Sequence, residues 1–309
     1  TTLINGIPCD TISVDDRGLL YGDGVFRTLL LRNGKLLQWP RHYAKLLKDC
    51  LTLNLPCPAE ALLQQELELL IRDVHDGVVK LIVTRGRSQR GYAPTTHPAV
   101  TRILSLNPLP AYPVAYLKSG VRLHLCHLRL AHQPRLAGAK HLNRLESVLA
   151  AAEWDDPEIA EGLLLDESGN VIEGIRSNLF MVKGGELLTP DLSQCGVAGV
   201  TRERLIDWAA AQGMHCRITN VSLPDLLQAD EIFLVNSVFG LWPVREMPGY
   251  FCEHHPVAYL IQDWLLNESI YLGTKKAQAK CLSLKDFWLY YITKSEMVEY
   301  YLLPARIYL

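Results

Sequence analysis

The stretch Leu163-Leu164-Leu165-Asp166-Glu167-Ser168-Gly169-Asn170-Val171-Ile172-Glu173, continuing Gly174-Ile175-Arg176-Ser177-Asn178-Leu179-Phe180-Met181-Val182-Lys183-Gly184-Gly185-Glu186-Leu187-Leu188, reads as two successive β-hairpins. Leu163–Asp166 faces Val171–Glu173 over Ser168-Gly169, and Leu179–Val182 faces Glu186–Leu188 over Gly184-Gly185. Short apolar runs joined by glycine-bearing turns are the pattern of antiparallel pairing. Outward from these hairpins, Arg122–Leu130 alternates as a strand, and helices are expected from near Leu142 to Trp154 and from Thr201. Cys216–Asn220 reads as a strand, a short helix follows Pro224, and Glu231–Asn236 reads as a buried strand. This half is mainly β and does not repeat a βαβ unit, which disfavours a doubly wound nucleotide fold.

The first half has a different pattern. Thr2–Ile4 turns through Asn5-Gly6, and Phe26–Leu31 meets Lys35–Trp39 across Asn33-Gly34. Pro40 suits the first turn of a helix whose apolar face is expected to carry Tyr43, Leu46, Leu47 and Leu51. A second helix follows Pro58, with Leu62, Leu63, Leu67 and Leu70 at helical spacing, and two apolar strands, Val78–Thr84 and Arg102–Leu106, come next. Pro108-Leu109-Pro110-Ala111-Tyr112-Pro113 can continue neither a helix nor a central strand. The expected organisation is an α+β domain over 1–107, a linker over 108–120, a β-rich domain over 121–271, and an aromatic tail over 272–309.

A chain of 309 residues, 49% hydrophobic and 21% charged, has ample material for two cores. Thirty-one basic against 33 acidic residues argue against a chain-wide nucleic-acid surface. No apolar run approaches the roughly 18 residues that span a bilayer. The start, Thr1-Thr2-Leu3-Ile4-Asn5, lacks the layout of a secretory signal, so a soluble cytoplasmic protein is expected. Eight scattered cysteines without a C-x-x-C pair read as reduced thiols, and no metal site is expected.

Several groups have chemical potential. Lys140, in Leu136-Ala-Gly-Ala-Lys140-His141-Leu142-Asn143-Arg144, has small apolar flanks that can desolvate an amine, although such lysines are more often solvated surface groups. Glu173 ends a strand among apolar neighbours and requires a cationic partner, either a protonated heterocycle or an arginine. Gly196-Val-Ala-Gly199-Val200-Thr201-Arg202 runs a glycine loop into a helix start, where free N–H groups attract an anion such as phosphate. Tyr21-Gly22-Asp23-Gly24 enters a strand, and Arg85-Gly-Arg87-Ser-Gln-Arg90-Gly91-Tyr92 follows one as either a carboxylate-binding or a solvated loop.

Taken in order, YGDGVF, RHYAKL, RGY, AGAKHLNRLE, the Glu173 strand, GVAGVTR and FLVNS resemble the fold-type IV pyridoxal-phosphate enzymes over about Thr2 to Leu266. That group includes D-amino acid and branched-chain aminotransferases and the aminodeoxychorismate lyases, and the likeness is greatest to the lyases. The resemblance implies a two-domain homodimer with pyridoxal 5'-phosphate between a smaller N-terminal and a larger β-rich C-terminal domain. Lys140 would hold the cofactor as a Schiff base, and Glu173 would pair with its pyridine nitrogen. Val200 and Thr201 would bind its phosphate, with Ser177, Asn178, Asn236 and Ser237 nearby. In His42-Tyr-Ala-Lys45-Leu46, Lys45 stands where the family usually places a phosphate-binding arginine. Arg27 stands where threonine or glutamate is commoner, and it is expected at the substrate together with Arg90 and Tyr92. The implied activity converts 4-amino-4-deoxychorismate to 4-aminobenzoate and pyruvate for folate synthesis, through a quinonoid. The alternatives are a D-amino acid or branched-chain aminotransferase and an inactive family member.

Overall fold

A computed structural model of the chain describes residues 1–94 and 96–271; the expected aromatic tail lies outside the described residues. The first unit comprises β1 (Thr2–Ile4), β2 (Ile7–Pro8), α1 (Arg17–Tyr21), β3 (Gly24–Arg32), β4 (Lys35–Leu36), α2 (Trp39–Thr52), α3 (Glu60–Ile71), β5 (Gly77–Thr84) and β6 (Thr101–Asn107). Its six strands form one antiparallel sheet in the order β2-β1-β6-β5-β3-β4. The turns at Asn5-Gly6 and Asn33-Gly34 use positive φ at both residues, which asparagine and glycine tolerate. Val25, Leu29, Val79, Leu81 and Leu104 on one sheet face bury against Leu46 and Cys50 of α2 and Leu63 and Leu67 of α3.

Helix α2 departs from the expected face. Leu47 and Leu51 are exposed, whereas His42, Lys45 and Asp49 are buried beside Leu46 and Cys50. Lys45 and Asp49 can be buried because they pair with each other, and His42 because burial keeps its ring uncharged. The strand expected over Lys35–Trp39 is also shorter, because Trp39 already opens α2.

Residues 108–120, with the short α4 (Ala115–Lys118), lead to the second unit. This contains β7 (Val121–Leu130), α5 (Leu145–Ala151), β8 (Ile159–Asp166), β9 (Asn170–Gly174), β10 (Ser177–Lys183), β11 (Glu186–Pro190), α6 (Val200–Ala211) and β12 (Cys216–Thr219). It continues through β13 (Val221–Ser222), α7 (Leu223–Leu226), β14 (Glu231–Asn236), β15 (Gly240–Met247), β16 (Tyr250–Phe251) and α8 (Pro256–Tyr271). Strands β10, β14, β15, β7, β8 and β9 pair in turn, and β9 returns to β10, closing a barrel. Leu163, Leu165, Val171, Leu179, Met181, Leu234 and Trp242 fill its interior. Outside, α6 and α8 cover Phe180 and Phe233, and α5 lies over Leu164 and Ile172. The arrangement is α+β.

Strand β9 contains a bulge that bears on function. Leu164 lies opposite Glu173, but Leu165 lies opposite Val171, so Ile172 has no partner. Strand residues two apart normally share a face. The extra residue breaks that rule: Val171 stays inside the barrel, whereas Glu173 turns to the outer face with Leu164.

Candidate active site

A cavity of about 390 Å³ lies between the outer barrel face and the first sheet. Phe26, Arg27 and Thr28 of β3 and His42 of α2 line one side, and residues 173–178, 199–201 and 235–238 line the other. Between them runs the Lys140 segment. Gly138 N–H donates to Gly196 O at 2.9 Å, and Ala198 N–H donates to Gly138 O at 3.0 Å. Two residues later, Phe26 N–H donates to Lys140 O and Leu142 N–H donates to Gly24 O, both at 3.0 Å. The segment is therefore tied by backbone bonds to both units. It is extended at His141–Leu142, and α5 begins only at Leu145 rather than near Leu142.

Lys140 lines the cavity, with Nζ 4.4 Å from the centroid of the Phe26 ring. Its pKa falls to about 8, chiefly through desolvation and then through the Arg27 charge, with Glu173 acting in the opposite direction. Glu173 is buried, and its pKa rises to about 7 because burial penalises the carboxylate more than its partners favour it. Its Oε2 accepts from Val197 N–H at 2.9 Å and from Asn178 Nδ2 at 3.2 Å. Asn178 also donates to Val197 O at 2.7 Å and accepts from Gly199 N–H at 3.1 Å. One amide thus links the carboxylate to the loop that begins α6. A side chain at Gly199 is excluded, since its Cβ would stand 2.3 Å from Asn178 Oδ1.

No side chain caps the start of α6 at Gly199. The first N–H groups of this helix, the Thr201 hydroxyl and the Ser237 hydroxyl 3.4 Å from it converge on the same wall. This combination suits a phosphate. Two buried nitrogens on the opposite wall, Arg27 Nε and His42 Nδ1, have no hydrogen-bond partner. Burial lowers the His42 pKa to about 3, with the Arg27 charge adding to the effect. A desolvated amine, a carboxylate facing the same space, an uncapped helix start and orphaned donors fit pyridoxal 5'-phosphate.

Of the residues expected from sequence, Lys140, Glu173, Ser177, Asn178, Val200, Thr201, Asn236, Ser237 and Arg27 are brought to this cavity. Ser177 donates to Glu161 Oε2 at 3.3 Å, and Asn236 Oδ1 accepts from Val238 and Phe239 N–H, shaping the turn. Three residues are placed elsewhere. Lys45 Nζ pairs with Asp49 and donates to Gly138 O at 2.9 Å, so its charge is drawn beneath the Lys140 segment and away from the cavity wall. Arg90 and Tyr92 are exposed and do not line the cavity of their own chain. Their loop is held outward because Arg17 donates to Gly91 O and Tyr92 O, and Tyr92 packs on Tyr21. Arg85, in the same motif, pairs with Asp23 and braces Leu53 O and Asn54 O.

Sequence reasoning missed His42, Arg144, Arg176 and Tyr112 as lining residues. His42 stood between Arg41 and Tyr43 with no signal of its own, and Arg144 stood only four residues beyond Lys140 in the Ala-Lys140-His141-Leu142-Asn143-Arg144 motif. His124, Cys126 and Glu153 have ligand-type atoms within 4.8 Å of one another. Glu153 is already committed to His127 and Leu128 N–H, where β7 breaks register, and this explains the cluster. All seven described cysteines are free thiols. Among the described residues, no helix is long and apolar enough to cross a membrane.

Residues 24–247 match the family described as amino-transferase class IV. The chain is 36% identical over 242 residues to an aminodeoxychorismate lyase of Vibrio harveyi, covering 78% of this chain and 89% of that protein. It is 31% identical over 281 residues to a putative branched-chain-amino-acid aminotransferase of Methanocaldococcus jannaschii, covering 90% and 92%. The crystal structure of 4-amino-4-deoxychorismate lyase from Pseudomonas aeruginosa superposes with a TM-score of 0.84 at 48% identity, covering 86% of this chain and 98% of that one. A match over most of the chain, a shared fold and the Lys140–Glu173 cavity lead to one conclusion: the chain belongs to the class IV aminotransferase family.

Proposed function

We propose that the chain is an aminodeoxychorismate lyase, converting 4-amino-4-deoxychorismate to 4-aminobenzoate and pyruvate with pyridoxal 5'-phosphate held at Lys140. The observation that carries this reading is the Lys140 amine, desolvated within a cavity that Glu173 also faces. The likeness to the Pseudomonas aeruginosa lyase supports it over amino transfer. When bound, the cofactor draws electrons from the carbon that carries the substrate amine.

The chain's own residues hold the cofactor and move the proton. Desolvation and the Arg27 charge lower the Lys140 pKa towards 8, so more of this amine is free base near neutral pH than an ordinary lysine would be. Its Nζ takes the proton from the amine-bearing carbon and returns one as the side chain leaves as pyruvate. Glu173, fixed by Val197 and Asn178, presents its carboxylate to the pyridine nitrogen. Val200, Thr201 and Ser237 receive the phosphate, and Phe26 shields the amine from water. Arg144 and Arg176, both lining the cavity, suit the substrate's two carboxylates.

The reading includes a homodimer in a reducing, cytoplasmic compartment. Leu19 and Leu20 of α1, Leu145, Val148 and Leu149 of α5, and Tyr92 expose their side chains. They are neighbours, since Asn143 meets Gly22 and Tyr21 packs on Tyr92. Exposed apolar side chains on segments that adjoin in this way favour a second copy. Arg90 and Tyr92 reach no cavity in one chain, so a substrate role for them requires that partner.

The test is incubation with 4-amino-4-deoxychorismate and, separately, with D-alanine plus 2-oxoglutarate. Pyruvate and 4-aminobenzoate from the first, without glutamate from the second, are expected. Lys140→Ala should abolish turnover and the borohydride-fixed cofactor peptide. Amino transfer without cleavage would overturn the assignment.

A further inference from the structure

Arg27, Lys45 and Asp49 form a buried cluster between β3 and α2, each at most 3% exposed. Both cations pair with the same carboxylate: Arg27 Nη2 with Oδ2 and Lys45 Nζ with Oδ1. Two positive charges on one negative charge leave an excess of one, and an uncompensated buried charge is costly. The cluster therefore calls for an anion from outside it. Only one of its cations has access to one, since Arg27 lines the cavity and Lys45 does not.

The two side chains are engaged differently. Lys45 is committed to Asp49 and Gly138 O. Arg27 uses one nitrogen on Asp49, while its buried Nε has no partner. The field of Glu203, in the first turn of α6, reaches Arg27. Arg41 of α2 pairs with Asp207 of α6 at 2.6 Å, fastening the two helices so that this end of the cavity is shared. Resting on the proposed function, we infer that Arg27 takes the place of Lys45 as the cation that receives the cofactor phosphate. Lys45 instead clasps the backbone of the Lys140 segment from below. Arg27 is thus a cofactor residue rather than the substrate residue that the sequence suggested.

The experiment compares pyridoxal phosphate with pyridoxal, which lacks the phosphate, in titrations of the cofactor-free protein. Wild type should prefer the phosphorylated form. Arg27→Gln should cut that preference about tenfold or more, the worth of one charge-assisted hydrogen bond. Arg27→Lys keeps the charge on Asp49, and so the fold, but loses Nε; it should cut the preference by about threefold or more. Lys45→Gln should change affinity for both forms by the same factor. Lys45→Gln losing the preference while Arg27→Lys keeps it would reverse the assignment. A raised KM for substrate in Arg27→Lys with the preference intact would return Arg27 to the substrate. Wild type that binds neither form, with nothing fixed on Lys140 by borohydride, would instead remove the proposed function itself.

Discussion

Asp49→Asn is a nearly isosteric change with a large expected cost. Asp49 is 1% exposed and is the shared counter-ion of Arg27 and Lys45. It also accepts the backbone N–H of Lys140 at 3.2 Å, a bond that asparagine can still accept. The substitution removes the charge and replaces one of the two acceptor oxygens with an amide donor facing Lys45, taking the cluster from a net charge of one to two. Losing one partner of a buried ion pair costs about 3–5 kcal/mol. In a protein of this size that lowers the melting temperature by roughly 10 °C. The cofactor-free protein should be unfolded in urea at pH 7.5 and compared with wild type. Asp49→Asn combined with Lys45→Met, which restores a net charge of one, should recover most of the loss. A single variant within about 1 kcal/mol of wild type, or a double variant no better than the single one, would refute the charge argument.

Glu173→Gln keeps an acceptor for Val197 N–H and should fold, but it should lower turnover at least about a hundredfold, since an amide cannot hold a proton between itself and a pyridine nitrogen. Because the Glu173 pKa is raised from 4.5 to about 7, wild-type stability from this group is present below pH 4.5 and is lost as pH rises through 7. The glutamine variant should accordingly lose less stability between pH 5 and pH 8 in urea titrations. Gly199→Ala has an unstrained backbone but displaces the buried Asn178 amide, so stability should fall by about 1–3 kcal/mol and cofactor affinity about tenfold or more in a titration. His255 is fully buried with both ring nitrogens unpartnered, and desolvation depresses its pKa to about 4. Its contribution is lost as pH falls from about 6.5 towards 4, so the wild type should lose on the order of 1 kcal/mol of urea-measured stability between pH 8 and 5.5, and His255→Leu should remove that pH dependence.

Much of this architecture was legible in the order of residues. The hairpin turns carry glycine where φ is positive, and Glu231–Asn236 forms a strand as an unbroken apolar run should. The motifs around Lys140, Glu173 and Thr201 also point to one cavity. What periodicity could not supply was the outcome where tertiary pairing overrides local preference. Leu47 and Leu51 of α2 look like core residues, yet Lys45 and Asp49 occupy the buried face, because they pair with each other and Asp49 also meets an arginine on a distant strand. The helix start expected near Leu142 moves to Leu145, because Leu142 is held to Gly24 across the chain. The positions of Arg90 and Tyr92 depend on Arg17, a residue that no local pattern connects to them.

The unpaired Ile172 has a consequence for how such a site tolerates change. With a regular β9, Glu173 would follow Val171 into the oily centre of the barrel, and the cavity would lose its acid without any change of amino acid. The carboxylate's direction is thus set by the extra residue being left out of the ladder rather than by the identity of that residue. Deleting position 172 would place Glu173 directly after Val171 and keep it on the outer face, and most substitutions there would also leave it aimed; only a register that paired Ile172 would turn the acid away. The strand closing the ring at β10 holds that aim, since Glu173 and Asn178 sit directly opposite one another across the seam.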